Sequence, residues 1–206
     1  MTNNYFKAAV ASLLLVCAGA SHAQLGNGGA AMSDVERANA SPATVVERYV
    51  RNAQVVLDAE ASLLAGVGLK EQAAKAGAQS KALAPDSTRG TIEVAILLQT
   101  DSGSALEQKI GGLTLALDDA GRRQFSEGMF ELARGITEGA AVSKDLAGMK
   151  QKLKTPGQAA AAALYLSKSL PGVVKSLTQT LKAAVDFSKA NNISVPPQAS
   201  EALATQ

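Results

Sequence analysis

Apolar residues within positions 118–142 recur at the three- and four-residue spacing of an α-helix. The stripe that they form consists of Phe125, Met129, Leu132 and Ile136. Asp118 precedes the first turn, where its carboxylate can accept a hydrogen bond from a free backbone amide. The pattern therefore predicts one long amphipathic helix that begins after Asp118.

A row of glycines runs beside this stripe, at Gly121, Gly128, Gly135 and Gly139. Glycine costs about 1 kcal/mol in a helix interior, so four on one side indicate a compensating contact. We expect a neighbouring helix to approach this row closely. The opposite side is charged and is predicted to face solvent, with i,i+4 ion pairs such as Arg134–Glu138.

Other helices are predicted from their first residues. A capping box of Ser33 and Glu36 predicts a short helical turn, and Ser41-Pro42 predicts the start of a long helix. An alanine-rich helix is expected over residues 69–83. Residues 91–100 are apolar all round, which is typical of a buried central helix.

The helices that follow are also predicted from caps and prolines. A second capping box, Ser104 with Glu107, predicts a separate helix over 104–117, although alternating leucines at 113–117 leave a small hairpin open. Pro156 and Pro171 each predict a helix start. Asn191-Asn192 predicts a helix end before a polar tail.

Together these patterns predict an all-α fold, a single-domain helical bundle or a stack of about seven helices in antiparallel hairpins. We place the helical domain at residues 41–192. A flexible leader is expected at residues 24–40, and a polar tail at residues 193–206.

The first 23 residues fit the pattern of a secretory signal peptide. Lys7 is followed by an apolar stretch, residues 8–20, that is short for a membrane span, and Ser21-His22-Ala23 fits a cleavage site. An uncleaved anchor is the alternative. A lipoprotein at Cys17 is disfavoured, because Val16 stands where a small residue is expected. We therefore expect a periplasmic or secreted protein that has no transmembrane helix after cleavage.

Cleavage would remove Cys17 and His22, the only cysteine and histidine of the chain. The mature chain could then form no disulfide, no Cys/His zinc site and no Ser-His-Asp or Cys-His catalytic centre. No catalytic motif, metal site or cofactor is predicted. A formal net charge of +2 with 3% aromatic residues argues against nucleic-acid binding.

Two single residues are candidates for contact with a ligand or partner. Glu60 falls inside the apolar face of the helix opened by Ser41-Pro42, where a carboxylate must find a partner or raise its pKa. We expect it to snorkel or to pair with a lysine, with a pocket-lining role as the alternative. Phe130 projects toward the charged side of its helix, so either a helix covers it or it anchors a partner.

A row of lysines near the carboxyl end is the third candidate. Residues 144–189 contain eight lysines and two aspartates, a balance of +6, whereas residues 24–138 carry −4. Within the basic segment, one lysine recurs every seven residues, at Lys168, Lys175, Lys182 and Lys189. The row is either a solvated face or a contact surface for an anionic lipid surface or an acidic periplasmic protein.

These features favour an exported, non-catalytic interaction, scaffold or binding module. One alternative is a carrier of an apolar ligand or lipid, with a cavity between the glycine-rich helices. The remote alternative is an enzyme that uses only carboxylate, lysine or hydroxyl groups.

The export hypothesis predicts that the mature protein begins at Gln24, because signal peptidase cleaves after small residues such as Ala23. N-terminal sequencing of protein recovered from the periplasm measures this directly. A lipid-bearing amino terminus at Cys17 would contradict it.

Overall fold

The computed structural model describes residues 32–111, 116–154 and 156–205, and for residues 37 and 38 the backbone alone. Within these ranges the chain forms seven α-helices and no strand, which confirms the predicted all-α fold. The predicted signal peptide and the leader up to residue 31 lie outside them. The helices are α1 (Asp34–Asn39), α2 (Pro42–Gly66), α3 (Lys70–Ala82), α4 (Arg89–Ile110), α5 (Asp119–Gly148), α6 (Gln158–Ala190) and α7 (Pro197–Ala204).

The predicted N-caps are confirmed at three helices. The Asp118 carboxylate accepts a hydrogen bond from the Gly121 amide at 2.7 Å and begins α5. Ser41 caps α2, whose first residue is Pro42. Both halves of the capping box at the start of α1 are formed, so this short helix begins where its sequence pattern predicts.

The glycine row of α5 faces α2, as expected. The two helices are antiparallel, and a step of seven residues along one is matched by a step of seven along the other. The facing pairs are Gly66 with Gly121, Ala59 with Gly128, and Asn52 with Gly135. A Cβ atom on Gly128 would lie 3.0 Å from the Ala59 carbonyl oxygen and from the Leu63 amide nitrogen. The backbones therefore approach closely enough that larger residues would not fit.

Helix α6 packs antiparallel to α5 on a neighbouring side. The rings of Phe125 and Phe187 meet edge to face, with centroids 5.3 Å apart. At the carboxyl end of α6, the Arg122 guanidinium donates to the carbonyl oxygens of Asn191 and Asn192, at 3.0 and 3.3 Å. This interaction satisfies carbonyl groups that a helix end leaves without internal donors.

Helix α4 packs beside α6 and runs in the same direction. The Arg89 guanidinium lies 5.0 Å from the ring centroid of Tyr165, near the start of both helices. Further along, the Thr180 hydroxyl donates to the Glu107 carboxylate at 2.8 Å.

Helix α3 folds back along α2, where Gln54 donates to the Leu83 carbonyl oxygen at 3.0 Å. None of the described helices is both long and apolar enough to cross a membrane.

Two predicted helix boundaries are wrong. Ser104 and Glu107 lie inside α4, which runs unbroken because a continuous apolar stripe spans both halves and packs on α6. Pro171 likewise lies inside α6. Proline in a helix interior costs about 3 kcal/mol, and burial of Leu166 and Leu170 before it and of Leu177 after it offsets that cost.

Two further expectations need correction. The helix over residues 91–100 is not buried all round, since Val94 and Leu97 are 53% and 60% exposed. Residues 193–206, expected to be a polar tail, contain α7, which packs against α5 and α6 through Ala199 and Ala202. A proline at its amino terminus and small apolar residues on one face explain this helix. Of the possible hairpin, residues 91–110 are helical and residues 112–115 are not described.

The close contact between α2 and α5 predicts opposite effects for one substitution at two glycines. Gly128→Ala should destabilise the protein by about 1–3 kcal/mol, because the new methyl group meets α2 backbone. Gly77→Ala on α3 should stabilise it by up to about 1 kcal/mol, because nothing lies within 4 Å of that position and alanine favours a helix. Urea unfolding midpoints, compared at equal m-value, measure the stability of both variants. If Gly128→Ala is neutral or stabilising, the close contact between α2 and α5 at Gly128 is contradicted.

Candidate functional site

A groove with a volume of about 670 Å³ runs along the outer side of α6 and is bordered by Leu203 of α7. Three of the four predicted lysines line it: Lys175, Lys182 and Lys189. Seven residues are nearly two turns of helix, so side chains at this spacing share one side, about 10.5 Å apart. The structure therefore brings these three lysines of the row together at a concave surface.

The charges along the row are unequal. The Lys182 ammonium group pairs with the Asp186 carboxylate at 2.7 Å, and both side chains are more than half exposed. Lys175 and Lys189 form no ion pair with any residue in the described part of the chain. The groove thus has two uncompensated positive charges and one that a neighbouring carboxylate partly neutralises.

Apolar groups lie between and below the lysines. Val174 and Val185 are 7% and 3% exposed, and Leu203 of α7 lies at the border of the groove. The Thr178 hydroxyl donates to the Val174 carbonyl oxygen at 2.8 Å, so its hydrogen-bonding capacity is used within α6. This composition, an apolar floor with cationic groups around it, suits a partner with apolar and anionic groups.

Two of the predicted contact residues lie elsewhere. Lys168 is exposed on α6 but does not line the groove. Phe130 is half-buried on α5, with the Arg134 guanidinium 5.8 Å from its ring centroid. Neither residue therefore adds to the groove.

Glu60 also lies apart from the groove, inside the bundle on α2. Its side chain is fully buried, and neither carboxylate oxygen has a hydrogen-bond partner among the residues that the structure describes. The expectation that it snorkels or pairs with a lysine is therefore wrong. Burial alone raises the pKa of Glu60 well above its ordinary value of 4.5. The Tyr49 hydroxyl and the Gln99 carbonyl oxygen are also buried without a hydrogen-bond partner in the described part of the chain.

Sequence reasoning missed a buried ionic cluster between α2 and α5. Arg48 pairs with Glu138 and with Asp145, the latter at 2.8 Å, and the Asp145 side chain is fully buried. Burial opposes the charge of Arg48, but the two carboxylates outweigh it and raise the pKa of Arg48. Both Asp145 oxygens also accept from the Met32 amide, at 2.9 and 3.0 Å. The cluster thus fixes the chain before α1 to the bundle.

The same cluster corrects the predicted charged face of α5. Glu138 reaches across to α2, so the expected pair with Arg134 is wrong. Arg134 instead pairs with Glu131 at 2.9 Å, one turn earlier. The isolated acidic position of Asp145 within the lysine-rich segment was the available hint, but it did not identify Arg48 as the partner.

Comparison of the chain with protein-family models, with curated proteins and with solved structures gives no match in any of the three.

The buried Glu60 predicts a specific pH dependence of stability. A carboxyl whose pKa is higher in the folded state binds its proton more tightly there, so stability falls as pH rises from about 4.5 to the raised pKa. Glu60→Gln removes this loss, at most about 1.4 kcal/mol per pH unit. Relative to wild type, the variant should gain stability as pH increases through that window.

Urea unfolding at several pH values, beginning near pH 4.5, measures this difference. Glu71→Gln, at an exposed position on α3, is the matched control. A difference between Glu60→Gln and wild type that is the same at every pH would contradict the prediction.

Proposed function

We propose that this protein is a non-catalytic binding module whose contact surface is the groove on α6, and that it acts outside the cytoplasm after removal of residues 1–23. The observation that carries the proposal is the placement of Lys175, Lys182 and Lys189 in one groove above an apolar floor. A lysine row that served only to keep the protein in solution would need no concave apolar surface beside it. The partner expected for this surface is anionic.

A second candidate, a carrier of an anionic amphiphile, is favoured by the groove volume. About 670 Å³ falls within the range of small-molecule sites, roughly 300–1,000 Å³. The carrier would use the groove on α6 and not the glycine row of α5, because α2 occupies the space beside Gly128 and Gly135. The two candidates share one surface and differ in the occupant.

Site-specific photo-crosslinking tests the proposed surface. A benzophenone side chain placed at Gln179, which is exposed and lines the groove, should capture the natural partner in cells that produce the protein. The matched control places the same group at Gln108, an exposed glutamine on α4 outside the groove. Intact-mass analysis of the adduct distinguishes a protein from an amphiphile.

The expected result is an adduct at Gln179 that is absent at Gln108. The variant Lys175→Gln/Lys182→Gln/Lys189→Gln should lose it, because the removed charges attract the partner. The triple variant Lys144→Gln/Lys150→Gln/Lys168→Gln removes equal charge from exposed positions outside the groove and should keep it. An adduct that survives in both triple variants, or forms at neither glutamine, would contradict the proposed function.

A further inference from the structure

The groove side of α6 repeats with a period of seven residues in two rows. The lysines at 175, 182 and 189 form one row, and Pro171, Thr178 and Val185 form the other. Taken together the two rows advance by four and three residues in turn, so all six residues lie on one side of α6, along which a partner helix can pack. In helix pairs, charged residues at the contact help to select the partner and its orientation.

The length of the stripe constrains the occupant. Eighteen residue steps from Pro171 to Lys189 extend about 27 Å along the helix axis. A single headgroup or carboxylate could reach one lysine, since the lysines are about 10.5 Å apart. Engaging all three requires a partner that presents anionic groups at the same repeat, as a helix with an acidic residue every seven positions does.

The burial of the apolar floor argues against a membrane surface as the occupant. Val174 and Val185 are 7% and 3% exposed, so they cannot enter a bilayer. Attraction to an anionic membrane would then rest on the lysines alone. A partner side chain that projects into the groove can reach the floor, whereas a flat lipid surface cannot.

A second copy of the chain is disfavoured by charge. Two α6 helices placed side by side would bring one lysine row against the other, and like charges at close range repel. Among the described residues that line the groove, Asp186 is the only acidic one, and it already pairs with Lys182.

On these grounds we infer that the groove on α6 binds an amphipathic helix of another protein, with acidic residues at seven-residue intervals facing the three lysines and apolar side chains entering between them. The inference rests on the proposed function and specifies its partner. Because Asp186 competes for Lys182, it also limits the affinity of the partner.

The probe for this inference is a synthetic helical peptide of about 20 residues, matched to the length of the stripe. It carries glutamate every seventh residue next to a leucine row, on an alanine-rich background that favours helix formation. A control peptide has the same composition, with its glutamates distributed around the helix. Fluorescence anisotropy with the full chain measures both affinities, at low and at physiological salt.

The heptad peptide should bind the wild-type protein at least about tenfold more tightly than the control peptide, and more weakly as salt increases. The groove triple variant should lose about tenfold in affinity, because it removes three exposed ion pairs that are each weak. The triple variant outside the groove should stay within about twofold of wild type. Asp186→Asn should bind about two- to threefold more tightly, because Lys182 is released from its internal pair.

Equal affinity for both peptides would overturn the inference, because net charge alone would then explain the binding. Co-sedimentation with phosphatidylglycerol vesicles in the absence of peptide binding would overturn it in favour of a lipid surface. If neither peptide binds but the Gln179 adduct is a small amphiphile, the inference fails and the proposed function stands. If neither peptide binding nor the Gln179 adduct depends on the groove lysines, both the inference and the proposed function fail.

Discussion

The close approach of α2 and α5 is the constraint on which the rest of the bundle depends. Gly121, Gly128 and Gly135 let the α5 backbone approach α2 to a distance that a methyl side chain would prevent. The buried Asn52 amide donates to the Gly135 carbonyl oxygen at 3.1 Å and adds a directional contact. Contacts between glycines and small residues are similar at several positions along a helix. The hydrogen bond forms only where Asn52 lies beside Gly135, so it favours this register of the two helices.

The position of α6 follows from this pair. At Gly139 the α5 backbone lies close to both helices, because a Cβ atom there would be 3.2 Å from a methyl group of Val174 on α6 and 3.3 Å from the Asn52 amide nitrogen on α2. Helices α4 and α5 bury two sides of α6, and α7 covers part of a third side. The lysine row of α6 therefore faces outward. The candidate site is thus the side of α6 that the bundle leaves uncovered, and its shape depends on α7.

Sequence reasoning predicted features that arise from local chemistry. Helix caps depend on residues three positions apart, so Asp118, Ser41 and Ser33 were identified correctly. The lysine row was found because a seven-residue repeat places side chains on one helix side. The interpretation of Ser104 as a cap failed, because burial of a continuous apolar stripe outweighed a local preference.

Features that depend on long-range contacts were not predictable in the same way. The partner of Asp145 is Arg48, 97 residues away in sequence, and no local pattern joins them. The groove needed Leu203, which lies in a segment expected to be a polar tail. The lack of a hydrogen-bond partner for Glu60 among the described residues could not be inferred either. It depends on which side chains surround Glu60 in the folded bundle.

A double-mutant cycle between Gly135 and Val56 tests the central contact most directly. A Cβ atom on Gly135 would overlap a methyl group of Val56, while the other nearby atoms lie at 3.6 Å or beyond. We expect Gly135→Ala to destabilise the protein less in a Val56→Ala background than in wild type, with a coupling free energy of about 0.5–3 kcal/mol. If the two substitutions have additive effects on the free energy of unfolding in urea, the two positions do not touch and the close contact between α2 and α5 is contradicted.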